Sequence, residues 1–334
     1  SEILSERLMN LLEDALRKKQ QAILFLNRRG FANFIICKNC GYVFKCLNCS
    51  VSMTFHKRQN LIKCHYCDLS MPTPSFCQQC NGYNVVDRGT GTEKVEEEIK
   101  RLFPDVQVAR MDRDTTRKKG AHKMILGTVE NGEADILVGT QMVAKGHHFS
   151  NVTVMGIISA DAMMNIPDFR SAEKTFQILT QAAGRAGRGD MHGRVIIQTF
   201  NPHHYCFDSI INHDYISFFN EEIEKRMELL YPPFYRLINL RMEGSKEDKV
   251  IKAVNILKEI ADRYIRRFKG DIILLGPAPA FLSLLRGKYR WHILVKGKNV
   301  KTLHDFIHSI KNGFEQNKMK GIELVIDVDP MTTM

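Results

Sequence analysis

The sequence predicts an α/β protein with a parallel sheet covered on both faces, interrupted by a metal-binding insertion and followed by a smaller α+β domain. Three observations predict this. Short apolar runs alternate with amphipathic segments between residues 1 and 205, a pattern typical of parallel sheets. Eight of the nine cysteines form four Cys-x-x-Cys pairs in one stretch. Beyond Tyr231-Pro232-Pro233-Phe234, which marks a domain boundary, strands and helices follow in a different order.

Length and charge narrow the class of protein. The chain has 334 residues, 44% of them hydrophobic, which is enough for two or three compact domains. No apolar run reaches the about 18 residues of a membrane span, and the N-terminus has no signal-peptide pattern, so we expect a cytoplasmic protein. Its first residues already form a helix-like pattern, which suggests that the chain was cut from something longer. The net charge of +11 favours polyanionic partners such as nucleic acids.

The elements of the first domain follow from periodicity. An amphipathic helix is expected over residues 1–20 and a buried strand over 22–26. Thr90-Gly91-Thr92-Glu93 is typical of a capping box that opens the next helix. Strand-like runs follow at Val106–Ala109, Ile136–Val138, Val152–Ile158 and Val195–Phe200. Helices are expected at Ser171–Ala186 and, as one long helix, at 205–230.

The last hundred residues predict a separate small domain. The expected order is strand 237–242, helix 247–267, strands 272–275 and 290–296, helix 300–316 and strand 322–328. This order suits a split β-α-β sandwich of ferredoxin-like type. The predicted domains are therefore 1–34 with 85–205, the insertion 35–84, a connecting helix 206–230 and a C-terminal domain 231–334.

The cysteine pairs predict two structural zinc sites. Zinc takes four thiolates in a tetrahedron, and a Cys-x-x-Cys knuckle supplies two of them. Three pairings of four knuckles are possible. Fourteen residues separate the inner pairs, close to the usual zinc-ribbon gap, and closing that ribbon carries the outer pairs towards each other. We therefore expect a nested arrangement with Cys37, Cys40, Cys77 and Cys80 at one zinc and Cys46, Cys49, Cys64 and Cys67 at the other.

Other functions of the insertion are weaker hypotheses. Four clustered knuckles do not suit a redox dithiol, and eight thiolates leave no open position for a catalytic zinc. His56 and His65 could each be a zinc ligand, but the thiolates already suffice, so we expect both to be surface residues. We expect Cys206 to lie in the core. Basic and aromatic residues alternate among the knuckles, which suits either nucleic-acid binding or local packing.

The string from Gln181 to Arg188, Gln-Ala-Ala-Gly-Arg-Ala-Gly-Arg, indicates phosphate chemistry. Arg185 and Arg188 lie three residues apart on one face of a helix end. A fixed guanidinium pair matches the charge that a phosphoryl-transfer transition state spreads over its oxygens. The alternative is a basic helix end that compensates the helix dipole, but the flanking glycines favour close backbone approach to a ligand.

A second string, from Ile136 to Phe149, places a glycine-rich loop at the end of a buried strand. Gly139, Thr140, Lys145 and Gly146 lie in this loop. Ligands of open α/β sheets bind at that edge. Asp161 ends the next strand at the same edge. Its carboxylate either binds a ligand or provides polar support for the loop.

Taken together, these strings resemble the PriA family of bacterial replication-restart helicases (primosomal protein N′, superfamily 2). The resemblance covers essentially the whole chain and rests on these segments in order: Phe25–Phe31, the four knuckles, Asp112–Thr116, Gly139–Met142, Lys145–Phe149, Asp168–Glu173, Gln181–Arg188, Leu275–Pro279, Arg286–Trp291 and Asp327–Pro330.

The resemblance implies the fold and the activity. It implies that the first domain is the second RecA-like helicase lobe, and it implies the same nested zinc pairing. The activity would be 3′→5′ unwinding of DNA driven by ATP and Mg²⁺. The partners would be branched and single-stranded DNA at stalled forks, single-stranded-DNA-binding protein and other primosome proteins.

The same resemblance gives the strings their roles. Arg185 and Arg188 would act on the γ-phosphate. Gly139, Thr140, Lys145, Gly146 and Gln181 would couple nucleotide state to DNA.

The chain departs from the family in one respect. It contains neither the phosphate loop nor the acidic magnesium motif of the first helicase lobe, and it lacks the family's N-terminal DNA-binding domain. We therefore expect the chain alone to be inactive towards ATP. The alternative function is a non-catalytic zinc-ribbon adaptor for DNA and proteins, which would have no need of the Gln181–Arg188 string.

The single tryptophan gives one further expectation. Strand alternation places Tyr289 and Trp291 on one face and Lys288 and Arg290 on the other. We expect Trp291 in the core and the basic residues, with Arg286, facing DNA or a partner.

Overall fold

A computed structural model describes residues 1, 3–26, 34–57, 59–88, 91–112, 114–143, 149–184, 192–268, 270–317 and 319–333. The chain forms two compact units. The first contains Ser1–Tyr42, Phe76–Ile166 and Ser171–Phe218, and the second contains Val43–Ser75, Pro167–Arg170 and Phe219–Met334. The sequence pattern predicts residues 35–84 as one insertion. In the structure, residues 35–42 and 76–84 belong to the first compact unit and residues 43–75 belong to the second. The domain boundaries drawn from the sequence stay a prediction.

The helices of the described chain follow the sequence pattern. They are α1 Glu6–Arg17, α2 Thr92–Leu102, α3 Ala121–Glu130, α4 Asp161–Met164, α5 Ser171–Ala183, α6 Tyr205–Ile211, α7 Tyr215–Glu228, α8 Glu247–Ile265 and α9 Val300–Glu315. The described strands are β1 Gln21–Phe25, β2 Phe34–Cys37, β3 Thr54–His56, β4 Leu61–Lys63, β5 Ser70–Pro72, β6 Val85–Arg88, β7 Val108–Met111, β8 Ile136–Gly139, β9 Val152–Ile157, β10 Arg194–Ile197, β11 Arg236–Gly244, β12 Ile272–Leu285, β13 Lys288–Gly297 and β14 Ile322–Val328.

A five-stranded parallel sheet organises the first unit. Its order is β10-β9-β1-β8-β7, and all four pairings are parallel. Ile23 and Phe25 of β1 face a core that includes α3, α5 and α6, while Ala22 and Leu24 face a second core with α1 and α2. Both faces of the sheet are thus covered, which confirms the α/β prediction for this unit.

One local prediction in the first unit is wrong, and another lies partly outside the described residues. Helix α2 begins at Thr92 with Gly91 as its N-cap, as the sequence places it, but Thr90 of the predicted capping box is outside the described part of the chain. The hydroxyl of Thr92 donates to Asp112 at 2.6 Å. The expected helix 205–230 is divided into α6 and α7, because His213 has a left-handed φ of 53° and Asp214 accepts from the Ser217 amide at 2.9 Å to start a new helix. Apolar periodicity continues across such a break and does not detect it.

A four-stranded antiparallel sheet organises the second unit. Its order is β12-β13-β11-β14, and the chain order is β11-α8-β12-β13-α9-β14. Ile238, Leu240, Ile293 and Val295 face the core that packs against α8 and α9. The opposite face of β11 and β13 carries Asn239, His292 and other polar residues.

Short antiparallel sheets carry the cysteine knuckles. In the first unit β2 pairs with β6, and Cys37 is the last residue of β2. In the second unit β3, β4 and β5 form a three-stranded sheet, and the knuckle with Cys64 lies between β4 and β5. No described helix has the length and apolar character needed to cross a membrane.

Candidate functional site

The four Cys-x-x-Cys knuckles share one backbone geometry. In each, the first cysteine's carbonyl accepts from the amide of the residue directly after the second cysteine, at 2.8–3.1 Å. That residue has a left-handed φ between 55° and 74° in all four knuckles; the residues are Gly41, Ser50, Asp68 and Asn81. The first cysteine's amide donates to the carbonyl one residue further on, at 2.8–2.9 Å. Backbone hydrogen bonds therefore close the turn that holds the two cysteines of each knuckle.

The structure groups the eight thiols in the nested way. Cys37, Cys40, Cys77 and Cys80 form an outer group in the first unit, and Cys46, Cys49, Cys64 and Cys67 form an inner group in the second. Within each group all sulfurs lie within 4.8 Å of one another. The two groups differ in exposure, because Cys80 is exposed whereas Cys46, Cys49 and Cys64 are buried.

The sulfur positions fit a tetrahedral metal. The distances Cys37–Cys80 and Cys40–Cys77 are 3.6 Å, and Cys46–Cys67 is 3.5 Å. Zn–S bonds of about 2.3 Å place the sulfurs of a tetrahedron about 3.8 Å apart, whereas a disulfide needs about 2.05 Å. All eight thiols are free. Both groups are therefore compatible with structural zinc.

Crowding of the inner thiols explains why they need a cation. Hydrogen bonding to Cys46 and Cys64 raises the pKa of the Cys49 thiol, and burial raises it further. Protonated thiols do not bind zinc, so metal binding must displace protons, and a divalent ion reverses the cost of placing four thiolates together.

The second unit encloses the inner group with aromatic and basic side chains. The Tyr231 hydroxyl donates to the Cys49 carbonyl at 3.0 Å, and the Tyr66 amide donates to the Cys64 sulfur at 3.4 Å. His65 is only 4% exposed, and its Nδ1 lies 2.9 Å from the Pro279 carbonyl, so the expectation of a surface residue is wrong for it.

The carboxyl edge of the parallel sheet carries the second motif. Gly139 ends β8, where it pairs with Phe25 of β1 and Met111 of β7. A Cβ on Gly139 would meet the Val143 side chain at 2.1 Å, so only glycine fits. The Thr140 amide donates to the Met111 carbonyl at 3.3 Å. Gly139 and Thr140 therefore lie at the edge where α/β sheets bind ligands.

Two buried carboxylates support loops at this edge. Asp112 accepts from the amides of Asp114 and Thr115 at 2.8 and 3.0 Å. Asp161 accepts from the Thr199 hydroxyl at 2.9 Å and the Phe200 amide at 3.1 Å, and burial raises its pKa. The Asp112 carboxylate is occupied by its own loop, and the Asp161 carboxylate is occupied by the loop that follows β10. The role of Asp161 towards a ligand or towards the Gly139 loop stays a prediction.

The arginine string lies mostly outside the described residues. Gln181 is exposed in the last turn of α5. Arg185, Arg188, Lys145 and Gly146 are outside the described part of the chain, so their roles stay predictions.

The interpretation of strand β13 is partly wrong. Trp291 packs against the helix-covered core, as expected. Arg290 is only 8% exposed and its Nε lies 3.1 Å from Glu243, so it does not face DNA. Lys288 is half-exposed and pairs with Glu323 at 2.9 Å.

Cys206 is fully buried in the core of the first unit, as expected.

Sequence reasoning missed the residues that enclose the inner group. Tyr231 stacks in parallel on Phe169 with ring centroids 4.7 Å apart, and Lys296 lies 3.5 Å above the Tyr231 ring centre. One sequence signal for Lys296 was available. The lysine follows the apolar run Ile293-Leu294-Val295, and burying a charged side chain beside such a run is energetically costly unless the charge has a partner.

Three family descriptions match the chain. They are the helicase conserved C-terminal domain over residues 75–190, the PriA DNA helicase Cys-rich region domain over 46–72, and the primosomal protein N C-terminal domain over 227–331.

Curated relatives match along the chain. The replication restart protein PriA of Bacillus subtilis is 41% identical over 99% of this chain and 41% of its own length. PriA of Synechocystis is 40% identical over 99% of this chain and 39% of its own length, and PriA of Haemophilus influenzae is 37% identical over 98% and 44%. The chain thus spans about two fifths of the length of these relatives. The chain therefore belongs to the PriA family of replication restart proteins, in the region that carries the cysteine-rich and C-terminal domains.

Proposed function

We propose that this chain is the second-lobe and C-terminal part of an ATP-dependent 3′→5′ DNA helicase that remodels stalled replication forks and promotes primosome assembly. The observation that carries the proposal is the parallel sheet, of which β7, β8 and β9 lie within the match to the helicase conserved C-terminal domain, with Gly139 and Thr140 at its ligand edge. The adaptor alternative is not favoured, because the helicase match covers β7, β8 and β9 of that sheet.

In the proposed mechanism the first unit completes a nucleotide site that another lobe supplies. The other lobe would hold ATP and Mg²⁺, and Arg185 and Arg188 would neutralise charge that develops on the γ-phosphate. Gly139, Thr140, Lys145, Gly146 and Gln181 would connect the nucleotide to the DNA track. The chain alone would not hydrolyse ATP.

We propose that both cysteine groups hold structural zinc. Sulfur spacings of 3.5–3.6 Å and the four closed knuckles support this. Zinc would supply the cross-link that each group needs, because the ribbons have small cores of their own.

We further propose a ferredoxin-like fold for the C-terminal domain. The order strand-helix-strand-strand-helix-strand and the antiparallel arrangement β12-β13-β11-β14 support it. In the cytoplasm, the proposed partners are branched and single-stranded DNA, single-stranded-DNA-binding protein and other primosome proteins; the net charge of +11 favours the nucleic acid.

The test is to join the chain to the preceding part of a PriA relative and to measure ATP hydrolysis with and without forked DNA. We expect hydrolysis that DNA stimulates in the joined protein and none in the chain alone. A joined, folded protein that does not hydrolyse ATP would favour the adaptor.

A further inference from the structure

Lys296 is a buried ammonium group in the second unit. The residue is only 5% exposed, at the end of β13 on the face that also carries Arg290 and His292. Its Nζ donates to the Leu229 carbonyl at 3.1 Å and lies 3.5 Å above the centre of the Tyr231 ring. The site is polar enough to orient the ammonium, but both partners are uncharged.

A buried charge ordinarily has a counter-charge. Among the ion pairs of the described residues, none joins a carboxylate to Lys296. A carbonyl and a ring face leave its positive charge unneutralised. Burial lowers the pKa of Lys296 to about 8, and the neighbouring Cys49 acts in the opposite direction.

The inner cysteine group is the anionic site to which Lys296 is connected through Tyr231. Tyr231 contacts both Lys296 and the inner cysteine group. The Lys296 ammonium lies over the Tyr231 ring, and the Tyr231 hydroxyl donates to the Cys49 carbonyl at 3.0 Å. Four thiolates around Zn²⁺ leave a net charge of about −2. Cys46, Cys49 and Cys64 are buried, so water does little to solvate that charge.

We propose that Lys296 is the outer counter-cation of the inner four-cysteine site, so that the inner site retains its zinc through a side chain of the C-terminal domain. The proposal rests on zinc occupying the site. The outer group has an exposed cysteine, Cys80, and water can solvate that thiolate. The two sites of one chain therefore differ in what balances their charge.

Zinc release from the full chain tests the proposal. A coloured chelator in excess would follow the loss of both ions, and a chain with Cys37→Ser and Cys40→Ser would assign the inner phase. Losing an outer-shell partner usually weakens metal binding by about 10–100-fold. We therefore expect Lys296→Met to speed zinc release from the inner site by about that factor and to leave release from the outer site unchanged. Lys296→Arg should restore slow release.

Matched variants separate charge from packing. Lys296→Gln keeps a donor for the Leu229 carbonyl but no charge, and it serves if Lys296→Met does not fold. Leu257→Ala removes buried side chain from the helix-covered core of the same unit, away from the cysteines in sequence. It should lower the melting temperature without selectively speeding inner release.

Three results would overturn the proposal. They are unchanged inner release in Lys296→Gln, equal acceleration in Leu257→Ala at the same loss of melting temperature, or no rescue by Lys296→Arg. A parent chain that contains no zinc by elemental analysis would instead refute zinc binding itself. A normal zinc content with an unchanged release rate would refute only the role of Lys296.

Discussion

At the residue scale, Gly41 shows how tightly the outer knuckle is packed. It has a left-handed φ of 74°, and a Cβ there would lie 2.1 Å from the Phe200 carbonyl oxygen. Gly132 has the same φ of 74°, yet a Cβ there would meet nothing within 4 Å. The pair therefore separates the cost of backbone conformation from the cost of close approach.

We predict that Gly41→Ala destabilises the first unit far more than Gly132→Ala. Both should lose about 1–2 kcal/mol from the left-handed conformation, and Gly41→Ala about 1–3 kcal/mol more from overpacking. Urea unfolding of the zinc-loaded chain measures the difference. Equal losses in the two variants would show that the contact with Phe200 relaxes at no cost.

His292 determines part of the pH dependence of the second unit. It is 1% exposed, and its Nε2 lies 2.6 Å from the His65 carbonyl oxygen, which fixes Nε2 as the donor. Burial lowers its pKa to about 4. The unfolded chain, with an ordinary histidine pKa of about 6.5, binds the proton first.

We therefore predict that the second unit loses stability as pH falls from about 6.5 to about 4. The 2.5-unit difference in pKa corresponds to about 3 kcal/mol, present in full above pH 6.5. His292→Gln keeps a donor but does not titrate, so the difference between the two pH profiles isolates this proton. Parallel profiles for the two proteins would mean that His292 has the same pKa in the folded and unfolded states, which would contradict the prediction.

At the element scale, the two cysteine groups lie in different compact units. We predict that Cys46→Ser loosens β3, β4 and β5 and the contacts of Tyr66 within the second unit, while the parallel sheet stays folded. Cys37→Ser should loosen β2 and β6 instead. Hydrogen exchange of each segment measures this, and the same segments loosening in both variants would contradict it.

We also predict two zinc ions per chain by elemental analysis. Each should contribute roughly 10–16 kcal/mol of apparent folding free energy, so the ions should survive mild purification. One ion, or none, would refute the two-site assignment.

The sequence predicted elements best where periodicity and burial agree. β8, β9 and α5 were placed to within a few residues, because apolar strands and an amphipathic helix leave clear patterns. β12 was expected over 272–275 but continues to Leu285. Its Gly276-Pro277-Ala278-Pro279 segment reads as a loop, yet β12 is an edge strand of the sheet, where prolines are tolerated.

The environment of the inner group was not predictable from spacing. The cysteine spacing could indicate which knuckles approach each other, because loop closure is a local property. Tyr231, Phe169 and Lys296 come from distant parts of the chain, and only tertiary packing brings them together. Arg290 was misplaced for the same reason, because its partner Glu243 lies on the neighbouring strand β11.

At the scale of the whole molecule, we propose that this chain completes an ATP site whose other part belongs to a separate phosphate-binding lobe. The parallel sheet presents Gly139 and Thr140 at its ligand edge, and α5 leads to the string that contains Arg185 and Arg188. The loop with Gly139 and Thr140 and the string with Arg185 and Arg188 would act on ATP only in a protein that also contains the phosphate-binding lobe.

ATP turnover by the joined protein carrying Arg188→Ala tests this claim most directly. Arg117→Ala is the matched control, because Arg117 is exposed and, among the ion pairs of the described residues, pairs only with Asp114 of the same turn. We predict that Arg188→Ala lowers the DNA-stimulated turnover number about 10³-fold, the range for arginine fingers, while DNA affinity and the Arg117→Ala protein stay near the parent values. A turnover number for Arg188→Ala close to that of the parent would contradict the account.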